Sequence, residues 1–181
     1  MSKYRSIFIK IKLFYLILSG RISVNTNRIQ INKNNNINFK NVLIVFPVKE
    51  DDFRVAAYVF RSLSKTENIN YYFLINSIFK QHFHLRGYIF DIYYSGKKNK
   101  IIIDETFYED RILNKEYDLI IDLNNEFLFE VSYLINKLHA IYKIGLKNKY
   151  ADYFYNIQYN VNSNDILEKV YRKIYLMIRE K

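Results

Sequence analysis

From Asn41 onward the sequence predicts a doubly wound α/β domain with a mostly parallel sheet. Two observations carry that reading. The runs Val42–Phe46, Tyr71–Ile75 and Tyr117–Leu123 are near-continuously apolar, as strands buried on both faces require. They are separated by stretches whose apolar residues recur at helical spacing, as covering helices require.

In chain order, Val42–Phe46 reads as the first strand, closed by Pro47. Asp52–Ser64 reads as a helix, with Phe53, Ala56, Ala57, Phe60 and Leu63 on one face. Tyr71–Ile75 is the second strand and, after a short irregular or helical piece, Tyr88–Tyr94 the third; Lys100–Ile103 is a fourth. Asp104–Asn114 reads as a helix, and Tyr117–Leu123 as a strand with Asp122 at its carboxyl end. Phe127–His139 is the next helix, Ile141–Gly145 a strand stopped by glycine, and Ser163–Arg179 a final helix with Ile166, Val170, Ile174 and Ile178 every four positions. The whole of 41–181 is then one Rossmann-like domain. Ahead of it stand a basic amphipathic helix, 1–20, and an Asn-rich linker or hairpin, 21–40.

The 181 residues suffice for about one domain, and a half-hydrophobic composition with 18 Tyr and 14 Phe excludes a disordered or collagen-like chain. The absence of cysteine excludes disulfides, thiolate metal sites, iron–sulfur clusters and a Cys nucleophile. The net charge of +10 is unevenly placed: residues 1–49 hold nine basic groups and no acid, leaving 19 basic and 18 acidic groups for the remainder. Charge gathered at one end points to an anionic membrane surface, contacted through residues 1–20, and not to nucleic acid, whose binders spread Lys and Arg along the face that tracks phosphates. The longest uncharged run there, Leu13–Gly20, is too short to span a bilayer, and Lys10 and Lys12 interrupt the apolar core a secretory signal would need. Two readings of this helix stand side by side. It lies in the bilayer interface, or it packs its Ile, Phe and Leu onto its own domain. Localisation is expected to be cytoplasmic, peripherally on the inner face of the cytoplasmic membrane.

Ligands of open parallel sheets bind beyond the carboxyl ends of the strands, which directs attention to Pro47–Asp52. The four glycines, at 20, 87, 96 and 145, form neither a dinucleotide fingerprint nor a P-loop, so no nucleotide cofactor is expected. Asp51 and Asp52 stand where a helix begins; they either cap it or supply a general base. His82 and His84 have the spacing of two metal ligands but no evident third, and no Gly-x-Ser-x-Gly elbow exists, so neither a metal nor a serine triad is expected. The abundant aromatics fall at strand or helix spacing and read as core, not as base-stacking platforms.

Two stretches, Asn41–Leu63 and Glu116–Lys147, resemble the N-terminal half of glycosyltransferase family 9, the heptosyltransferases of lipopolysaccharide core assembly. Val42-Leu-Ile-Val45 is similar to the family's opening strand, Asp51-Asp52 stands at its Gly-Asp, and Val55-Ala-Ala57 with Arg61-Ser-Leu63 follow in order. Tyr117-Asp-Leu-Ile-Ile-Asp-Leu123 resembles a later strand, and Lys143-Ile-Gly-Leu146 the strand end after it. The resemblance implies half of a GT-B architecture and an acceptor-side role. It makes Asp52 the general base that deprotonates the acceptor hydroxyl. Arg54 and Arg61, on or near the following helix, are expected as acceptor-binding groups that face its phosphates. The family's glycine is Asp51 here. Because the donor nucleotide sugar binds the other half of a GT-B enzyme, a partner chain supplying a donor domain is implied as well. The alternative function is a non-catalytic α/β interaction or scaffold domain at the membrane surface.

Overall fold

The computed structural model describes residues 3–22, 39–63, 68–95, 100–102, 109–161 and 166–179. The linker expected over 21–40, apart from its ends, and the first half of the helix expected over 104–114 lie outside them.

Helix α1 (Lys3–Leu18) precedes strand β1 (Asn41–Val45) and helix α2 (Glu50–Phe60). Strand β2 (Asn70–Asn76), a 3-10 helix (Ser77–His82), strand β3 (Tyr88–Ser95) and strand β4 (Lys100–Ile102) follow. A π-helical turn (Glu109–Leu113) leads to strand β5 (Glu116–Asp122), helix α3 (Phe129–Lys137) and strand β6 (His139–Leu146). A 3-10 turn (Ala151–Tyr153), strand β7 (Ile157–Tyr159) and helix α4 (Leu167–Arg179) complete the order.

The strands form one sheet, ordered β4-β3-β2-β1-β5-β6-β7. All neighbours from β3 to β7 are parallel, and β4 is an antiparallel edge paired to β3. β1 is central, setting Leu43 between Tyr72 and Ile120. Because successive side chains of a strand point to opposite faces, Val42 and Ile44 join one core and Leu43 and Val45 the other. Burial on both faces is why this strand is apolar at nearly every position.

α2 and α4 cover one face. Phe53, Ala56 and Phe60 from α2 meet Val170, Tyr171, Ile174 and Tyr175 from α4 in a single core, with the Phe60 and Tyr175 rings perpendicular at 5.7 Å. Phe46, just past β1, lies within 6.1 Å of the rings of Phe53, Phe60, Phe73 and Phe83, so these five aromatics are core. α3 and α1 lie on the opposite face: Val131, Leu134 and Ile135 share a core with Ile9, Leu13 and Leu16. The crossover helices α2 and α3 thus fall on opposite faces, which right-handed connections demand when winding reverses about β1. None of the helices among the described residues is long and apolar enough to cross a membrane.

Candidate active site

Between β1 and β5 the chain changes its winding direction, and connections leaving the two carboxyl ends diverge to open a crevice. Pairing continues one residue beyond β5, where the Leu123 N–H donates to the Val45 carbonyl at 3.0 Å. Side chains then tie the two loops together. Asn124 Oδ1 accepts from the Val48 N–H at 3.0 Å, while the Asn124 N–H and Nδ2 both donate to Asp122 Oδ1, at 3.0 and 2.7 Å. Tyr155 donates to Asp122 Oδ2 at 2.5 Å and lies 3.1 Å from Ser132 Oγ. Asp122 is therefore a buried anchor for the crevice walls. Burial holds its carboxyl above the usual range although Tyr155 and Asn124 pull the other way, and burial together with Asp122 pushes the Tyr155 hydroxyl well up.

α2 enters the crevice with its acidic first turn. Its N-cap is Lys49, in extended conformation with no side-chain capping bond, so Glu50, Asp51 and Asp52 occupy the first helical positions. Neither aspartate is the cap that the sequence allowed for; both favour the positive end of the helix dipole from within the first turn. Asp51 is exposed and Asp52 half-buried. Among the described residues nothing hydrogen-bonds the Asp52 carboxylate. Desolvation raises its pKa above the ordinary 3.8, Glu126 and Asp51 add to the rise, and Lys49 opposes it. Lys49 Nζ meets Glu126 Oε1 at 2.5 Å, bridging the loop after β1 to the loop after β5; that bond to Glu126 raises the lysine's own pKa. Tyr171 of α4 donates to the Leu123 carbonyl at 2.6 Å, and its pKa is raised by burial and then by Asp52 and Asp122. Among the described residues the crevice thus presents a carboxylate that accepts no hydrogen bond and has lone pairs to offer a hydroxyl.

The other two residues singled out from sequence lie apart. Arg54 shares the Asp52 end of α2, where its Nη2 pairs with Glu50 Oε1 at 2.5 Å. Arg61 caps the far end, roughly 14 Å along the axis from Asp52 at 1.5 Å per residue. There it stacks over the Tyr58 ring at 3.8 Å and lines a cleft with Ser62, Arg172 and Tyr175. Asn124 and Glu126 are not among the residues the sequence marks after β1; they follow β5, where the same strand-end rule reaches them. His82 and His84 are both exposed, and no cluster of three metal-ligating side chains occurs among the described residues.

No family model and no curated protein sequence matches the chain. Solved structures do. The Escherichia coli heptosyltransferase WaaC with ADP superposes with a TM-score of 0.57 at 17% identity, over 77% of this chain and 48% of that one. The same enzyme with ADP-2-deoxy-2-fluoro heptose gives 0.56 at 17% identity, over 76% and 47%. A family 9 glycosyltransferase from Veillonella parvula gives 0.54 at 15% identity, over 77% and 41%. The chain spans less than half the length of these structures, and what it shares with them is a Rossmann-like, glycosyltransferase-like α/β fold.

Proposed function

We propose that this chain is the acceptor-side domain of a heptosyltransferase-type glycosyltransferase acting in cell-envelope glycan or lipopolysaccharide synthesis. The observation that carries this reading is Asp52: a half-buried carboxylate with a raised pKa that accepts no hydrogen bond among the described residues, at the switch point of a fold shared with heptosyltransferases. In that role Asp52 takes the proton of an acceptor hydroxyl as the oxygen attacks the anomeric carbon of a nucleotide sugar. The new C–O bond forms with inversion as the bond to the diphosphate breaks, and the nucleoside diphosphate departs with its electron pair. A raised pKa makes the carboxylate a stronger base, and the first turn of α2 holds it in place. The donor is presented by a further, nucleotide-sugar-binding domain. The Lys49–Glu126 bridge, more than half exposed at both ends, opens at small cost to admit the acceptor.

The experiment is nucleotide-sugar consumption by the full chain with an envelope glycan acceptor, alone and combined with candidate donor-domain proteins. Complemented wild type should turn over and Asp52→Asn should lose at least ~100-fold, the scale of general-base catalysis. Undiminished turnover by Asp52→Asn, or none in any combination, sinks the proposal and leaves the non-catalytic scaffold.

A further inference from the structure

α1 has two apolar faces. Ile9, Leu13 and Leu16 are buried against the domain, while Ile7, Phe8, Ile11, Phe14, Tyr15 and Leu18 are 51% to 71% exposed. At 3.6 residues per turn the exposed six form a single stripe roughly 120° wide. Lys10 lies along one border of that stripe and Lys12 along the other. Lys12 turns toward the domain, with its Nζ 2.8 Å from Glu130 Oε1 and 4.2 Å above the Phe129 ring. Single exposed apolar residues are ordinary, but a contiguous stripe of six on one helix marks a surface that something covers. The inward face is already occupied, so packing on the domain and binding elsewhere are not alternatives for this helix.

We propose that the outward face of α1 seats in the headgroup layer of an anionic bilayer while its inward face stays docked on the sheet. Charge complementarity selects this occupant, since residues 1–22 carry five basic groups, Lys3, Arg5, Lys10, Lys12 and Arg21, and no acid, with Lys12 held by Glu130. A second copy meeting the same face would bring Lys10 and its neighbours against their own kind. Lys10, exposed at one border of the stripe, lets the apolar face sink while its ammonium group stays with the headgroups, and Phe8, Phe14 and Tyr15 suit that depth. The docked inner face keeps the helix parallel to the membrane and turns the α1/α3 side of the domain toward it. Lys12 meets α3 just downstream of Glu126, which sets the bilayer beside the crevice mouth. This inference stands whether or not the chain transfers sugar.

The test is cosedimentation of the full chain with vesicles of phosphatidylcholine, with and without phosphatidylglycerol, at low and moderate salt, together with its mass in solution by light scattering. Wild type should be a monomer that pellets with phosphatidylglycerol vesicles, less so as salt rises. Phe8→Ser/Phe14→Ser, changed only at exposed positions, should keep the wild-type melting temperature and lose binding by about tenfold or more, and Lys10→Glu should weaken it too. Equal pelleting by the double variant, no pelleting of wild type, or a wild-type dimer that the double variant dissociates would each overturn the proposal.

Discussion

Tyr155 donates its hydroxyl hydrogen to Asp122 across 2.5 Å of protein interior, joining the segment before β7 to the end of β5. Both residues are buried, and Ser132 of α3 touches the same hydroxyl at 3.1 Å. Tyr155→Phe would leave Asp122 Oδ2 without that donor in a place water does not reach. The loss should be ~1.5–3 kcal/mol, the range for a hydrogen bond to a charged group, read as a lower urea midpoint at unchanged slope. Ser132→Ala, which leaves the Tyr155–Asp122 bond intact, should cost less. Equal losses would mean that Ser132, and not Asp122, is the partner that matters.

The charges around Asp52 make a prediction independent of turnover. Glu126 raises the Asp52 pKa and Lys49 lowers it. Glu126→Gln should therefore move the Asp52 titration to lower pH. Lys49→Met should move it higher, by removing the cation and freeing Glu126 from its pair. Carboxyl-carbon chemical shifts of Asp52 followed through a pH titration measure both. Shifts of the same sign would show that the two side chains act through the loop's conformation instead of through charge.

The central strands were legible because burial on both faces writes itself into composition: Val42–Phe46 has no polar residue to misplace. Asp52 was legible for a related reason, since the end of the first strand and the start of the next helix are both locally marked. β7 was not. Its three residues include Gln158, and they are held by pairing to β6 and by the Lys147 N–H donated to Tyr159 O at 2.8 Å, which leave no local periodicity. In place of the described part of the helix expected over 104–114 stands the π-helical turn Glu109–Leu113. The Asn124–Val48 tie joins residues 76 apart, so it exists only once β1 and β5 are neighbours. For α1 the sequence left lipid and self-packing as rivals because residue spacing alone does not say which apolar face meets the domain, and in the structure Ile9, Leu13 and Leu16 do.

Gly145 lies in β6 directly under the Tyr155 ring. A Cβ at that position would stand 2.6 to 2.7 Å from three of its ring atoms. The ring has no simple escape, because its hydroxyl is fixed to Asp122. Gly145→Ala should destabilise by ~1–3 kcal/mol, as overpacking does. In the Tyr155→Leu background, where no aromatic ring occupies the spot, the same alanine should cost clearly less, and a double-mutant cycle measures the difference. Additive losses would place the strain elsewhere.

Lys143 gives the fold a pH dependence of its own. It sits on β6 only 6% exposed, with its Nζ donating to the Asn136 carbonyl at 3.0 Å near the end of α3 and no carboxylate among the described residues paired to it. Burial lowers its pKa from 10.5 to about 8. Below pH 8 the lysine is charged in both folded and unfolded chains, so the cost of burying the charge is present and constant. Between about 8 and 10.5 the folded chain has released this proton while the unfolded chain still holds it, and that cost is relieved as pH rises. The melting temperature of wild type relative to Lys143→Met should therefore be flat up to about pH 8 and climb toward pH 10.5. Referring each value to the variant removes the titration of the other lysines. A flat difference across that window would mean that Lys143 keeps an ordinary pKa, its ammonium reaching water past the Asn136 carbonyl.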